Sequence, residues 1–396
     1  MVEPLIQGAK EFPKRRFCML IVTHECNLNC AYCYESFKDD RHMDSALAKN
    51  ILLKELAFVQ KSEKFDELEV NFMGGEPFLN FRLIKEIVEW LFQMKQDVPF
   101  ITTCSTNGTL INDTNKEWLR EHKNIFIPVL SYDGDFDMQK RNRNTSRESI
   151  DIQFFMQTWP EESIHITISR ETLPYLARGI LYLQHLGCHL DAALAQGVDW
   201  AEEDAVTFHE QLNILKDEYL QDRTITPINL LGRALFGIGR DEAFQSKFCG
   251  TGTSMITYDV DGKTYPCHMF SPIVLGPERA LLLEKSGLMN GCDVTDAFCK
   301  NCNLMHWCPT CYGFNYRFRG NISNRDHRFC KMIHTQAIAS CEFQISYYHK
   351  HIDDLSARDM SQLKSALKTY RILMNDYGKN FLTILDPKVE EGGINK

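Results

Sequence analysis

The chain has no apolar stretch long enough to cross a bilayer, no signal-peptide run before Phe17, no excess of positive charge, no internal repeat and no low-complexity tract. The first two absences give an expectation of a cytoplasmic protein without membrane contact. A formal net charge of -9 over 396 residues argues against a broad nucleic-acid surface. The basic group Lys140, Arg141, Arg143 and Arg147 suits a local anionic ligand at most. Disorder is also excluded, because 44% apolar content is ample for a buried core. What the chain does have is 15 cysteines. In a reducing compartment such thiols serve metal binding or catalysis more often than disulfides. They are also bunched: Cys26, Cys30 and Cys33 fall in one short loop, and another group runs from Cys249 to Cys330.

Short β-branched or apolar runs at 18–23, 68–73, 100–105, 125–131, 164–169 and 189–195 read as buried strands. Helical spacing separates them at 45–61, 82–95, 113–122, 151–158 and 173–186. Strands alternating with helices imply parallel βαβ units with right-handed crossovers, hence an α/β fold with a partial (β/α)6 TIM-like barrel. Two more helices are expected at 202–219 and 227–238. After residue 240 the texture turns to Cys, Gly, His and Tyr, and such a segment needs bound metal to replace a missing core. The expected division is 1–240 for the barrel, 241–345 for a small Cys-rich domain and 346–396 for a C-terminal helical segment, with spacing for a helix at 352–375.

Cys26-Asn-Leu-Asn-Cys30-Ala-Tyr-Cys33 follows the first strand. Three thiolates from one loop fill three irons of a 4Fe-4S cubane, and the open fourth iron can chelate a small molecule and pass it an electron. Zinc would want a fourth protein ligand, for which Cys18 or His24 is the nearest source. A plain set of buried thiols fits poorly with so polar a loop. The CxxxCxxC spacing, with Tyr32 before the last Cys, resembles the signature of the radical S-adenosylmethionine superfamily, which carries it after the first barrel strand. The resemblance extends to four further features. Gly74-Gly75-Glu76, ending the second strand, would contact the methionyl amino group, its glycines admitting close backbone approach. Ser105 and Asn107 at the third strand and Ser131 at the fourth resemble the family's ribose and carboxylate contacts. Arg143 would pair with the cofactor's carboxylate, with Arg141 an equally close cation.

The later group reads Cys249, twelve residues, Gly262, four residues, Cys267, then Cys299-x2-Cys302-x5-Cys308-x2-Cys311, then Cys330. Seven thiols at these intervals exceed one zinc and suit two iron–sulfur clusters, with a zinc ribbon as the other reading of the CxxC pairs. They resemble the SPASM extension of enzymes that modify peptides and proteins, although the last interval is one residue shorter than the commoner spacing. By that resemblance Cys299, Cys302, Cys308 and Cys330 would hold an outer auxiliary cluster, and Cys249, Cys267 and Cys311 an inner one. The inner cluster then has an open iron or borrows Cys292 or Cys188. Cys18, Cys104 and Cys341 read as buried small hydrophobes.

The cofactors implied are S-adenosylmethionine and three 4Fe-4S clusters, with a 5′-deoxyadenosyl radical taking hydrogen from the substrate. The leading substrate is a ribosomally made precursor peptide that receives a cross-link or another change. With some seventeen residues before the first strand, either a separate leader-recognition protein is an expected partner or the leader docks directly on the barrel, beside a flavodoxin or ferredoxin reductant. The alternative is anaerobic sulfatase maturation to formylglycine. Sulfatase maturases place an Asp after the equivalent Tyr-Pro-Cys, where this chain has His268; His268 could take a proton instead. His268 and Asp133 are the candidate catalytic groups, and Tyr312 a candidate substrate contact. Each has a plain structural alternative: a supporting hydrogen bond, a loop-closing carboxylate and a packed aromatic. A non-catalytic iron–sulfur electron carrier is the reading from another class, and it would not need Gly74-Gly75-Glu76 or Arg143.

Overall fold

The computed structural model describes residues 14–145, 150–235, 238, 249–284 and 296–385, with side chains to 375. Cys292, Arg147 and the expected boundary at 240 lie outside the described residues. The strands are β1 (Arg15–Thr23), β2 (Glu67–Gly74), β3 (Phe100–Thr106), β4 (Phe126–Leu130), β5 (Ile164–Ile168), β6 (Leu190–Leu194), β7 (Met255–Tyr258) and β8 (Thr264–Tyr265). The helices of the first half are α1 (Ser45–Gln60), α2 (Phe81–Gln93), α3 (Asp113–Glu121), α4 (Phe136–Arg143), α5 (Ile152–Thr158), α6 (Leu176–His185) and α7 (Glu202–Gln221). They are followed by α8 (Asn229–Gly232), α9 (Pro272–Leu275), α10 (Pro277–Glu284), α11 (Tyr312–Arg319), α12 (Phe329–His349) and α13 (Ala357–Leu385).

The alternation of strands and helices is as expected, and β1 to β4 pair in parallel. Two features depart from the expected barrel. The sheet runs β4-β3-β2-β1-β7-β8, and β5 pairs only with β6 in a second sheet. At the break, a single bridge joins Ser131 to His165, with the Tyr132 N–H donating to the His165 carbonyl at 2.9 Å. The N–H of Ser131 instead faces β3, donating to Thr106.

The second departure concerns the Cys-rich part, which is not separate from the sheet. β7 pairs in parallel with β1, Phe17 opposite Met255, and β8 returns antiparallel beside β7. A second apolar cluster lies beneath this hairpin. Val260, Phe270, Ile273 and Tyr312 pack there with Ile21 of β1, and Met73 and Tyr34 border it. Tyr312 is therefore a packed aromatic. The helices start where capping chemistry allows: Asp44, Asn112 and Asp135 accept the N–H groups of Leu47, Asn115 and Met138 at the N-termini of α1, α3 and α4. No described helix is long and apolar enough to cross a membrane.

Candidate functional site

The parallel strands bring their carboxyl ends to one face, where the cysteine loop meets the ends of β2, β3 and β4. Gly74 and Gly75 make this convergence possible. A Cβ on Gly74 would lie 2.2 Å from the Thr23 carbonyl oxygen, and one on Gly75 the same distance from that of Glu25 and 2.9 Å from the Cys26 Cβ. In their place the N–H groups of Gly75 and Glu76 donate to Thr23 and Glu25 at 3.1 and 2.8 Å. These glycines bring two stretches of the chain's own backbone together, a reason for them that the sequence reading did not contain.

Glu76 is buried, and its carboxylate accepts from Thr106 Oγ1 at 2.8 Å, from the Asn107 N–H at 2.8 Å and from the Phe78 N–H at 3.1 Å. Burial pushes its carboxyl above the usual value, and the three donors oppose this. It locks the end of β2 to the end of β3. Asn107 is thereby aimed at the cysteine loop, its Nδ2 donating to Asn27 at 3.0 Å. Ser105 and Ser131 are half-buried at the ends of β3 and β4.

Asp133 is the centre of the site's polar network. It is fully buried, and its two oxygens accept from Tyr32 Oη at 2.5 Å, Arg143 Nε and Nη2 at 2.8 and 3.2 Å, Asn142 Nδ2 at 3.1 Å and the Thr167 N–H at 2.9 Å. A carboxylate so saturated anchors the loop, the plain structural alternative to a catalytic group. Arg143 is buried in this pair and also lies over the Tyr32 ring, 5.5 Å from its centroid. Arg141 is exposed and rests on Tyr175, so Arg143 is the cation that faces the cysteine loop. Burial pushes the Cys30 thiol up to about 11, with Arg143 opposing, and raises that of Cys26. Those are the protons that a bound metal would displace.

Neither expected zinc ligand is free. Cys18 is buried in mid-strand. His24, fully buried, meets Asp259 at 2.6 Å and Asp39 at 3.1 Å. Among the described residues the one group of three potential ligands lying within 4.8 Å of one another is Asp296, Cys299 and His327. Cys26, Cys30 and Cys33 are not grouped that closely.

The later cysteines separate as two sets. Cys299, Cys302, Cys308 and Cys330 line one cavity, together with Arg325 and His334. Burial pushes Cys299 to about 11 and Cys330 to about 12. Burial takes Cys267 up to about 12, with Cys311 and Cys249 near enough to add to the rise, and Cys249 acts in the same way on buried Cys311. Cys188 is not a candidate for a further ligand there. It contacts Met156 Sδ at 3.4 Å beside the amino end of β6. Cys104 and Cys341 are buried in the apolar core.

Tyr34, which sequence reasoning passed over, joins the two regions. Burial pushes its hydroxyl well up, and the thiols of Cys33, Cys311 and Cys267 all add to that. Its ring lies 5.7 Å from that of His268 and 5.9 Å from that of Phe314, and its carbonyl accepts from Arg317 of α11. Burial holds the His268 imidazole down at about 4, and its Nδ1 is buried without a partner. Its pKa is thus lower than the near-neutral value expected from sequence, because burial disfavours the charged imidazolium. Glu35 and Lys38 were also missed. Burial moves the Glu35 carboxyl up to about 7, and Lys38 is kept charged by Cys33 and Cys26 against the effect of burial.

Residues 15–154 match the Fer4_12 family, a 4Fe-4S single cluster domain. The radical SAM cyclopropyl synthase TigE of Paramaledivibacter caminithermalis is 22% identical over 208 residues, 44% of this chain and 42% of TigE. The chain is a relative of the radical S-adenosylmethionine enzymes. A serine-type anaerobic sulfatase-maturating enzyme of Klebsiella aerogenes is 32% identical over 128 residues, 31% of this chain and 30% of that enzyme. The chain spans about half the length of the first curated relatives it matches. In fold, this radical S-adenosylmethionine relative is similar to anSMEcpe with bound AdoMet, at TM-score 0.63, 17% identity and coverage of 88% and 98% of the two chains. It is similar also to Streptococcus suis SuiB bound to the precursor peptide SuiA, at TM-score 0.53, 17% identity and coverage of 80% and 76%.

Proposed function

We propose that this chain is a radical S-adenosylmethionine enzyme with a SPASM-type extension that removes a hydrogen atom from a precursor peptide and leaves it cross-linked or otherwise altered. The observation that carries the reading is the Tyr34–His268 contact, which sets the loop of Cys26, Cys30 and Cys33 against Cys249, Cys267 and Cys311. A donor set of three thiols in a loop, with a buried cation beside it, fits a cluster that leaves one iron for a ligand. When bound, the cluster and S-adenosylmethionine supply a 5′-deoxyadenosyl radical that abstracts hydrogen. The chain's own residues do the rest. Arg143, held by Asp133, presents a cation to the ligand's carboxylate. Asn107, aimed by Glu76, presents its amide from the end of β3. Tyr34, Phe314 and His268 form an aromatic wall between the two cysteine sets. A relative carrying this fold has been seen with a precursor peptide in place, which supports a peptide as the substrate here. The outer and inner sets complete a complement of three 4Fe-4S clusters, fed by a flavodoxin or ferredoxin.

Formylglycine formation is the second reading, favoured by the sulfatase-maturating relative and by the unpartnered Nδ1 of His268. With its pKa lowered by burial, this imidazole is a neutral acceptor toward a substrate's thiol or hydroxyl and a weak base.

The test is anaerobic reconstitution with iron and sulfide, followed by iron counts and a 5′-deoxyadenosine assay with dithionite and S-adenosylmethionine. About twelve irons per chain, and deoxyadenosine that vanishes in Cys26→Ala/Cys30→Ala/Cys33→Ala, are expected. Deoxyadenosine unaffected by the triple change would sink the reading. Mass spectrometry of peptides encoded beside the gene, run against a sulfatase-derived peptide, separates the two substrates.

A further inference from the structure

The cavity lined by Cys299, Cys302, Cys308 and Cys330 contains one side chain that the proposed function does not use. Arg325 is fixed there from both ends. Its backbone N–H donates to Asp296 at 2.8 Å, and its Nη1 donates to the carbonyls of Met305 at 3.2 Å and Cys308 at 3.5 Å. Asp296 is itself buried and held by the Phe298 N–H at 2.8 Å and by His327 at 2.9 Å. The guanidinium cannot swing away without giving up these contacts. Yet its Nε is buried with no acceptor among the described protein atoms. A buried guanidinium nitrogen without a partner forfeits its hydration with nothing in return, so an acceptor is expected in the cavity it lines.

Nearby protein groups do not supply that acceptor. The Asp326 carboxylate, also at the cavity, is engaged by Arg319 at 2.5 Å and by Arg328 at 3.0 Å. What the cavity offers is sulfur. Arg325 lines the same cavity as Cys299, Cys302, Cys308 and Cys330. A second cation nearby, Arg233, has its guanidinium over the Trp307 ring. The donor set fits a cluster: four thiols around one cavity, with the orphan N–H at its wall.

We propose that Arg325 sets the reduction potential of the outer auxiliary cluster, its Nε–H donating to a cluster sulfur and its charge favouring the reduced state. This inference rests on the outer-cluster reading above. A cubane held by four thiolates is anionic and gains one further negative charge on reduction, so a fixed cation and a hydrogen bond to sulfur stabilise the reduced form and raise the potential. The electron taken up comes from the reductant, or from the substrate radical as its new bond forms. Arg325 changes how readily the outer cluster holds that electron. It is a positioning and tuning residue and touches no substrate.

The experiment uses the reconstituted full chain and its Cys26→Ala/Cys30→Ala/Cys33→Ala variant, which leaves only the auxiliary clusters. R325Q and R325K are compared by iron and sulfide content and by potentiometric titration followed by electron paramagnetic resonance. In R325Q the outer cluster should become about tenfold harder to reduce, which for one electron is 59 mV, with the inner cluster unmoved. R325K, which keeps the charge and loses the fork, should shift the outer cluster by less. An outer potential unchanged in R325Q at full iron content would overturn the inference and leave the cluster reading intact. Loss of outer iron in both variants would show Arg325 to be a structural prop, and would also overturn it. A wild-type chain that binds iron only at the first loop would sink the outer-cluster reading and this inference with it.

Discussion

Replacing Asp133 with Ala separates an anchoring role from a catalytic one. The change leaves the Arg143 guanidinium buried beside the Tyr32 ring with neither of its two carboxylate contacts. It also orphans the Thr167 N–H and removes one of the two acceptors of Asn142 Nδ2, the other being the Thr167 carbonyl at 3.0 Å. Breaking a buried pair by deleting one partner costs about 3–5 kcal/mol, because the remaining charge is uncompensated. Unfolding entropy of about 2.1 cal/mol/K per residue gives roughly 0.8 kcal/mol/K for a chain of this length. A loss of about 4 kcal/mol then lowers the Tm by about 5 °C for unfolding as one cooperative unit. Calorimetry on the reconstituted protein measures this directly. Asp133→Ala/Arg143→Met should recover most of the loss, since it removes both charges together. The reasoning fails if Asp133→Ala keeps the wild-type Tm, or if the double variant is no more stable than the single one.

Gly75→Ala places a methyl against the Glu25 carbonyl and the Cys26 Cβ. It should cost the first loop its iron while the auxiliary iron stays, a pattern that Mössbauer or resonance Raman spectra can apportion. Cys188→Ala should leave iron content unchanged, because Cys188 packs on Met156 away from both sets; a loss of iron would reinstate it as a ligand. Glu342 of α12 sits 3.6 Å from Lys216 and 3.9 Å from His209 of α7. Burial opposes its ionisation, but these two partners outweigh burial and hold its carboxyl below the usual 4.5. A depressed carboxyl stabilises the fold above its unfolded value and ceases to do so as pH falls through the folded one. Glu342→Gln should therefore cost about 1 kcal/mol at neutral pH, and its Tm gap to wild type should close as pH is lowered beneath 4.5. A gap independent of pH would refute the pairing.

Strands β1 to β6 were legible because each is a short β-branched or apolar run bounded by polar turns, and the loop spacing of Cys26, Cys30 and Cys33 was as plain. What escaped was decided by contacts distant in sequence. α4 reads FDMQKRNR, with little that is apolar, and is held by its Asp135 cap and by Asn142 and Arg143 reaching Asp133. β7 is four residues long, too short to stand out, and forms because β1 offers it an edge. Of the helix expected at 227–238, the described residues to 235 form only α8, and the cause lies on α12. Gln336, Ser340 and Gln344 recur there every four residues, one face of a helix, and donate to the carbonyls of Leu230, Leu231 and Arg233. These side chains satisfy carbonyls that a longer helix would have paired internally, so α8 can end early and stay buried. Nothing local in 227–238 encodes that, and nothing local in the later cysteines says which of them meets the first loop. Hydrophobic runs and ligand spacing report on neighbours in sequence. The pairing of β7 with β1, which carries Cys267 and His268 to Tyr34, is a property of the closed sheet, and the chemistry of the interval between the two cysteine sets follows from it.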